Sequence, residues 1–269
     1  MDREKRLKEL EEKIRQAEAD GDIRSQVSFL KEAVELARAL YGTGSNRHIE
    51  LQSEYGGLLK YVGRPKEAVE QLLEVKELLQ TREDPLNYAT ALVNLAGACR
   101  FAKDFARSEA LYLEARELTK EKDYLYASIC NNLGILYQDQ RRWEEAEQQH
   151  LESKDLLEKD PAYVGEYMTT LGNLAAVYLA EEKYEQSKAL LNEAEERVKM
   201  LGWTDQTLYA SVLNQKAALY YRMGKCPEAV ELFRKAYEIC EKKLGKDSEA
   251  CMGIARSLQV AEEDLKKSS

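Results

Sequence analysis

Apolar residues recur through this chain at i, i+3, i+4 and i+7, the spacing that lays one stripe along an α-helix. Leu92, Leu95, Ala96 and Cys99 form one such stripe, and Leu213, Ala217 and Tyr220 another. The stripes break at short polar turns: Asp20-Gly21-Asp22, Gly63-Arg64-Pro65, Lys103-Asp104 and Met223-Gly224-Lys225. Asp84-Pro85 and Asp160-Pro161 read as an N-cap followed by Pro at the first helical position. Gly42, Gly202 and Gly245 stand where a left-handed residue closes a helix. The pattern predicts an all-α chain of helix–turn–helix units.

The units repeat. Segments opening at Tyr88, Tyr126, Tyr167 and Tyr209 align with one another, and two weaker copies open near Arg6 and His48. A small residue opens the second helix of each copy: Ala68, Ser108, Ala146, Ser187 and Ala229, with Gln26 as the departure. A second small column follows seven residues later, at Ala33, Val75, Ala115, Ser153, Ala194 and Ala236. A third lies in the first helix, at Gly56, Ala96, Gly134, Ala175 and Ala217, with Ile14 as the exception. Two antiparallel helices approach closely only where one offers the other a small side chain. Large residues then fill the gaps: Leu59, Tyr137, Tyr178 and Tyr220 in first helices, and Leu72, Tyr112, Leu191 and Phe233 in second helices. The predicted pairs cover residues 3–42, 45–82, 85–121, 123–159, 161–202 and 204–245, within a single domain over 1–269. A lone capping helix follows over 247–267, and its polar tail AEEDLKKSS suits the wet end of a stack. The opening Tyr column shares a face with core positions, so its expected role is packing between repeats, with the hydroxyl reaching a polar partner at the helix start.

Composition narrows the function. Of 269 residues, 44% are hydrophobic and 33% charged, with only 4 Pro and 14 Gly, which fits helices better than turn-rich strands. A net charge of −9 argues against a phosphate-binding surface, so no nucleic-acid partner is expected. No stretch approaches the ~20 apolar residues that span a bilayer, so no membrane insertion is expected. The N-terminus MDREKRLKELEEK lacks the apolar core of a signal peptide. Five cysteines, at 99, 130, 226, 240 and 251, show no CxxC spacing and read as reduced thiols of a cytoplasmic protein. His48 and His150 lie in different copies, so no metal site is expected. No phosphate-loop, dinucleotide or nucleophile-elbow motif occurs, and acidic residues sit mostly at i, i+4 from Lys or Arg. The expectation is a protein with no cofactor that is not an enzyme.

The small columns, the Leu-Gly/Ala pair and the aromatic two to three residues further on resemble tetratricopeptide repeats. Gly134-Ile135-Leu136-Tyr137 followed by Trp143-Glu144-Glu145-Ala146 is a close match. The period near 41, the Asn of Asn-Leu-Gly/Ala (Asn94, Asn132, Asn173) and the Leu-Gly endings (Leu201-Gly202, Leu244-Gly245) resemble the kinesin light chain subtype. The resemblance implies a right-handed superhelix, an α-solenoid of about six antiparallel pairs plus the cap, with first helices lining a concave face. It further implies a partner protein or peptide in extended form. The family's carboxylate clamp needs Lys and Asn in one first helix and Lys and Arg in another; here Val93/Gly97, Asn131/Ile135 and Thr169/Asn173 stand there, so that mode is not expected.

If first helices line a groove, its positions are +2, +5, +6, +9, +12 and +13 from each opening Tyr. The +6 column holds Glu54, Asn94, Asn132, Asn173 and Gln215, and +5 adds Asn131 and Asn214. Asn is poor inside a helix because its amide competes for the backbone. Its recurrence has two readings: a ladder of amides for an extended peptide backbone, or hydrogen bonds tethering each repeat to the next. At +12 and +13 stand Lys60, Tyr61, Arg100, Phe101, Gln138 and Tyr221, where basic groups beside aromatics suit acidic or aromatic partner side chains. The candidate peptide-binding residues are therefore Asn94, Asn131, Asn132, Asn173, Asn214, Gln215, Lys60, Arg100, Gln138 and Tyr221. The leading function is a peptide-binding adaptor, expected as a monomer with a homodimer as alternative. The other readings are a sensor for a signalling peptide and a structural module that self-associates through an apolar stripe on the first helix (Leu7, Leu10, Ile14, Ala17).

Overall fold

The computed structural model describes residues 3–119, 123–246 and 248–268, and among these it contains thirteen α-helices and no strand. They are α1 (Arg3–Ala19), α2 (Ile23–Tyr41), α3 (Asn46–Leu59), α4 (Pro65–Gln80), α5 (Pro85–Phe101), α6 (Phe105–Leu118), α7 (Tyr124–Asp139), α8 (Trp143–Leu157), α9 (Val164–Ala180), α10 (Tyr184–Met200), α11 (Thr207–Arg222), α12 (Cys226–Leu244) and α13 (Glu249–Ser268). The chain is an all-α helical repeat. It forms two compact units, Met1–Leu136 and Tyr137–Ser269. Within the first, each helix from α1 to α6 packs on the next; within the second, α8 to α13 do the same. The expected end of the third pair at residue 121 and the start of the cap at Asp247 lie outside the described residues.

Local chemistry starts and stops these helices. Asp84 caps α5, its carboxylate accepting from the Asn87 amide at 3.1 Å, and Pro85 fills the first position, where no N–H is needed. Asp160 does the same for the one-turn 3-10 helix Pro161–Tyr163 that leads into α9, accepting from Ala162 N at 2.9 Å. Gly245 closes α12 with φ +78°, and Gly42 closes α2 with φ +89°.

A rule not evident in the sequence governs the turn inside each pair. Gly21, Gly63, Lys103, Arg141, Glu182 and Gly224 all have φ between 60° and 77°. Each precedes by five positions the residue of the first small column, which is Gln26 in the first pair and a small residue in the other five. The turn geometry is thus the same in all six places, whether or not the residue is glycine.

The small columns carry the core. Ala68, Ser108, Ala146, Ser187 and Ala229 are fully buried, and so are Ala33, Val75, Ala115, Ser153, Ala194 and Ala236. Gly56, Ala96, Gly134, Ala175 and Ala217 are buried on the facing helices. Gly56 shows why size matters: a Cβ there would lie 2.7 Å from Leu72 Cγ, so α3 and α4 meet where no side chain fits. Gln26, the departure in its column, is also buried, and its Nε2 donates to Glu54 Oε1 at 3.2 Å.

The α1 stripe offered for self-association is not a free surface. Leu7, Leu10, Ile14 and Ala17 are all buried in the first unit, where α1 packs on α2. An amphipathic first helix and an exposed one look alike in sequence, because periodicity gives the face and not what covers it.

Candidate functional site

First helices contribute residues to a surface cleft in each unit. In the first unit, α3 and α5 flank a cleft of about 350 Å³. Asn46, Ile49, Glu50 and Ser53 line it from α3, and Asn87, Thr90, Ala91 and Asn94 from α5. Arg82 frames one edge, its guanidinium donating to Asn46 Oδ1 at 2.7 Å and to the Gly44 carbonyl. The volume falls in the range of ligand clefts, and the lining is rich in amides and hydroxyls. Asn94 faces it at the expected +6 position and Thr90 at +2. No spacing in the chain marks Asn46, Arg82 and Asn87, which come from helix starts and a loop outside the repeating columns.

In the second unit, Ala175, Ala176 and Leu179 of α9, Ser187 and Leu191 of α10, and Asn214, Gln215 and Ala218 of α11 line a smaller, apolar pocket of about 130 Å³. Asn214 Oδ1 and Gln215 Oε1 are buried, and no donor among the described residues reaches either. A buried carbonyl without a donor costs about 1–3 kcal/mol, so each asks for an explanation. Gln215 also lies across Gly172 of α9, where a Cβ would come within 2.5 Å of its Oε1. Gln215 thus packs against the neighbouring repeat by shape, and its Oε1 makes no hydrogen bond of the kind the tether reading expects.

The remaining candidates are distributed. Asn132 turns back on its own helix, Nδ2 donating to the Ser128 carbonyl at 2.8 Å. This local bond uses one of the two N–H groups of the amide and serves no neighbouring repeat. Gln138 points inward: its Nε2 lies 2.9 Å from the Asn173 carbonyl and 3.0 Å from His150 Nε2. Tyr221 donates to Asp264 Oδ2 of α13 at 2.6 Å. Asn131 and Asn173 are half-buried, and both have partners within the protein. Lys60 and Arg100 come together with Tyr61 and Phe101 at the C-terminal ends of α3 and α5. The two rings meet edge to face, 5.5 Å between centroids. Lys60 Nζ lies 5.1 Å from the Tyr61 ring and 5.8 Å from that of Phe101, and the Arg100 guanidinium lies 4.8 Å from Phe101. Burial, aided by the charge of Arg100, holds the Lys60 ammonium below the usual lysine range.

Of the Tyr column, Tyr167 and Tyr209 are buried and Tyr88 and Tyr126 half-buried, and three of the hydroxyls reach beyond the helix start. Tyr88 donates to Glu114 at 2.9 Å and Tyr167 to Glu193 at 2.7 Å, in each case on the second helix of the same pair. Tyr209 instead donates to Glu195 of the preceding pair at 3.3 Å. Glu54 remains exposed, yet partial desolvation raises the pKa of its carboxyl against the donation from Gln26. Among the described residues, no three His, Cys, Asp or Glu side chains group as metal ligands, and no helix is long and apolar enough to cross a membrane.

A tetratricopeptide repeat model matches residues 87–159 and 166–242, more than half of the chain. No curated protein matches the sequence. Among solved structures, BtubC (BKLC) from P. vanneervenii is similar, with 21% identity, a TM-score of 0.55, and coverage of 75% of this chain and 93% of that one. A Podosopora anserina protein of nearly identical repeats, assigned to the kinesin light chains, gives 17% identity and a TM-score of 0.57 over 72% and 96% of the two chains. A Rap protein complexed with competence and sporulation factor gives 13% and 0.65 over 95% and 74%. At these identities the likeness is one of fold.

Proposed function

We propose that this chain, which belongs to the tetratricopeptide repeat family, is an interaction scaffold that holds an extended peptide segment of a partner protein along its first helices. Stacked helical repeats present long surfaces of this kind, and their function resides in the side chains on those surfaces. The observation that carries the reading is that both clefts described above border first helices and include +5 or +6 residues: Asn94 in one, Asn214 and Gln215 in the other. A peptide backbone offers an N–H at every residue, which is what the two buried amide oxygens lack. The apolar lining beside them suits an aliphatic or aromatic side chain as anchor, since anchors in desolvated pockets supply most of the energy of such interfaces. A disordered segment that orders on docking fits this pattern of separated anchors.

The test is selection of peptides from a displayed random library on the immobilised protein, followed by calorimetric titration of the best binder. The Asn132→Ala/Asn173→Ala and Asn94→Ala/Gln215→Ala double variants are titrated in parallel. Binding that falls at least tenfold in the second double variant, with helical circular dichroism retained, supports the reading. A binder whose affinity is the same in both variants and the wild type contradicts it.

A further inference from the structure

Lys60 sits half-buried at the end of α3, yet among the described residues no carboxylate lies within 4.0 Å of its Nζ; its contacts are the faces of Tyr61 and Phe101. A desolvated ammonium is costly without an anion or acceptors, and two ring faces return only part of that cost. A second group without a hydrogen bond among the described residues lies beside it. Tyr112 of α6 is 1% exposed, and no hydrogen bond to its hydroxyl occurs among the described residues. Buried tyrosine hydroxyls normally find a partner, as Tyr55, Tyr167 and Tyr209 do here. The two head groups converge on one point: a Cβ on Gly97 would lie 3.2 Å from Lys60 Nζ and 3.5 Å from Tyr112 Oη. Glycine at 97 is what leaves both of them room above α5.

We infer that Lys60 Nζ and Tyr112 Oη form a carboxylate-binding site over Gly97, walled by the rings of Tyr61 and Phe101. The ammonium supplies one positive charge and the hydroxyl a second donor, which matches a carboxylate: one negative charge and two oxygens. The aromatic walls favour an organic acid over a fully hydrated inorganic ion. The site does not depend on the peptide reading. The carboxylate can come from a free acid or from an acidic side chain of a bound segment, and the same chemistry recognises both.

The test uses the whole chain labelled at lysine Cε with carbon-13, the Lys60 resonance being the one lost in Lys60→Met. It is titrated with sodium acetate, with sodium chloride at equal ionic strength, and with a short glutamate-bearing peptide and its glutamine counterpart. The site predicts a saturable shift of the Lys60 signal with acetate or the glutamate peptide, and none with chloride or the glutamine peptide. A response to the glutamate peptide alone identifies a bound segment as the source; a response to both identifies a general carboxylate site. Tyr112→Phe, checked for retained helicity, weakens binding about tenfold through loss of one hydrogen bond to a charged group. Equal responses to acetate and chloride together with equal responses to the two peptides would overturn the inference, and so would wild-type affinity in Tyr112→Phe.

Discussion

Ser187 Oγ donates to the backbone carbonyl of Ala175 at 2.9 Å, so the small residue of one helix is bonded to the small residue of the helix it faces. Ser108 repeats the bond with Ala96 at 2.8 Å. Both serines are fully buried. A hydroxyl is tolerated in the tightest contact of the pair because the facing backbone is near enough to accept from it. Outside the first pair, where Gln26 stands, the column holds only Ala or Ser, and in α6 and α10 the serine bonds the backbone of the residue it faces.

Ser187→Ala is expected to cost about 1 kcal/mol, one buried neutral hydrogen bond. Ser187→Leu is expected to cost about 1–3 kcal/mol or more by overfilling the contact. Urea denaturation followed by circular dichroism measures both, and equal stability of the two variants would contradict close approach at this point.

Gly56→Ala places a methyl 2.7 Å from Leu72 Cγ. The expected loss is about 1–3 kcal/mol, since the obstacle is a packed leucine. The same denaturation experiment tests it. An unchanged midpoint would mean that α3 and α4 separate without penalty.

The left-handed turn residues give predictions of opposite sign. Arg141 has φ +60° and Gly224 φ +75° at equivalent positions. Arg141→Gly is expected to stabilise by about 0.5–1 kcal/mol, the relief of αL strain less the added entropy of the unfolded chain. Gly224→Ala is expected to destabilise by about 1 kcal/mol. If both variants shift in the same direction, the turns are not equivalent.

His150 is fully buried, and burial depresses its pKa to about 4. It is neutral at pH 7, in line with Gln138 as its neighbour at 3.0 Å. As pH falls below about 6.5 the unfolded chain takes up a proton that the folded chain refuses, so stability drops between pH 6.5 and 4 and then levels off. The full effect is roughly 3 kcal/mol. His150→Leu is expected to remove that slope when stability is measured against pH, and an identical slope in the variant would assign it to other groups.

Much of the fold was legible in the sequence because close packing leaves a mark on residue size. The columns through Ala68, Ala33 and Gly56 predicted buried contacts, and all three are buried. The left-handed turns were half hidden: Gly21, Gly63 and Gly224 announce them, but Lys103, Arg141 and Glu182 carry the same φ with no residue signature. The stripe on α1 was visible, yet its partner was not, since a stripe does not name the surface that covers it. Sites were less legible still. The +6 spacing gives the face on which Asn132 lies, but a side-chain amide chooses among nearby acceptors, and here it takes the Ser128 carbonyl. Lys60, Gly97 and Tyr112 come from three helices of two successive pairs, so no spacing in the chain links them. Tyr112 reads in sequence as a gap filler, and its unsatisfied hydroxyl emerges only when α6 is set against α5.

First helices are expected to carry the binding face. Backbone amide shift mapping of the labelled protein with a library-selected peptide tests it most directly. Perturbations are expected to concentrate on α3 and α5 around Asn94 and on α9 and α11 around Asn214 and Gln215. Perturbations confined to the outer faces of α4, α6, α10 and α12 would contradict it.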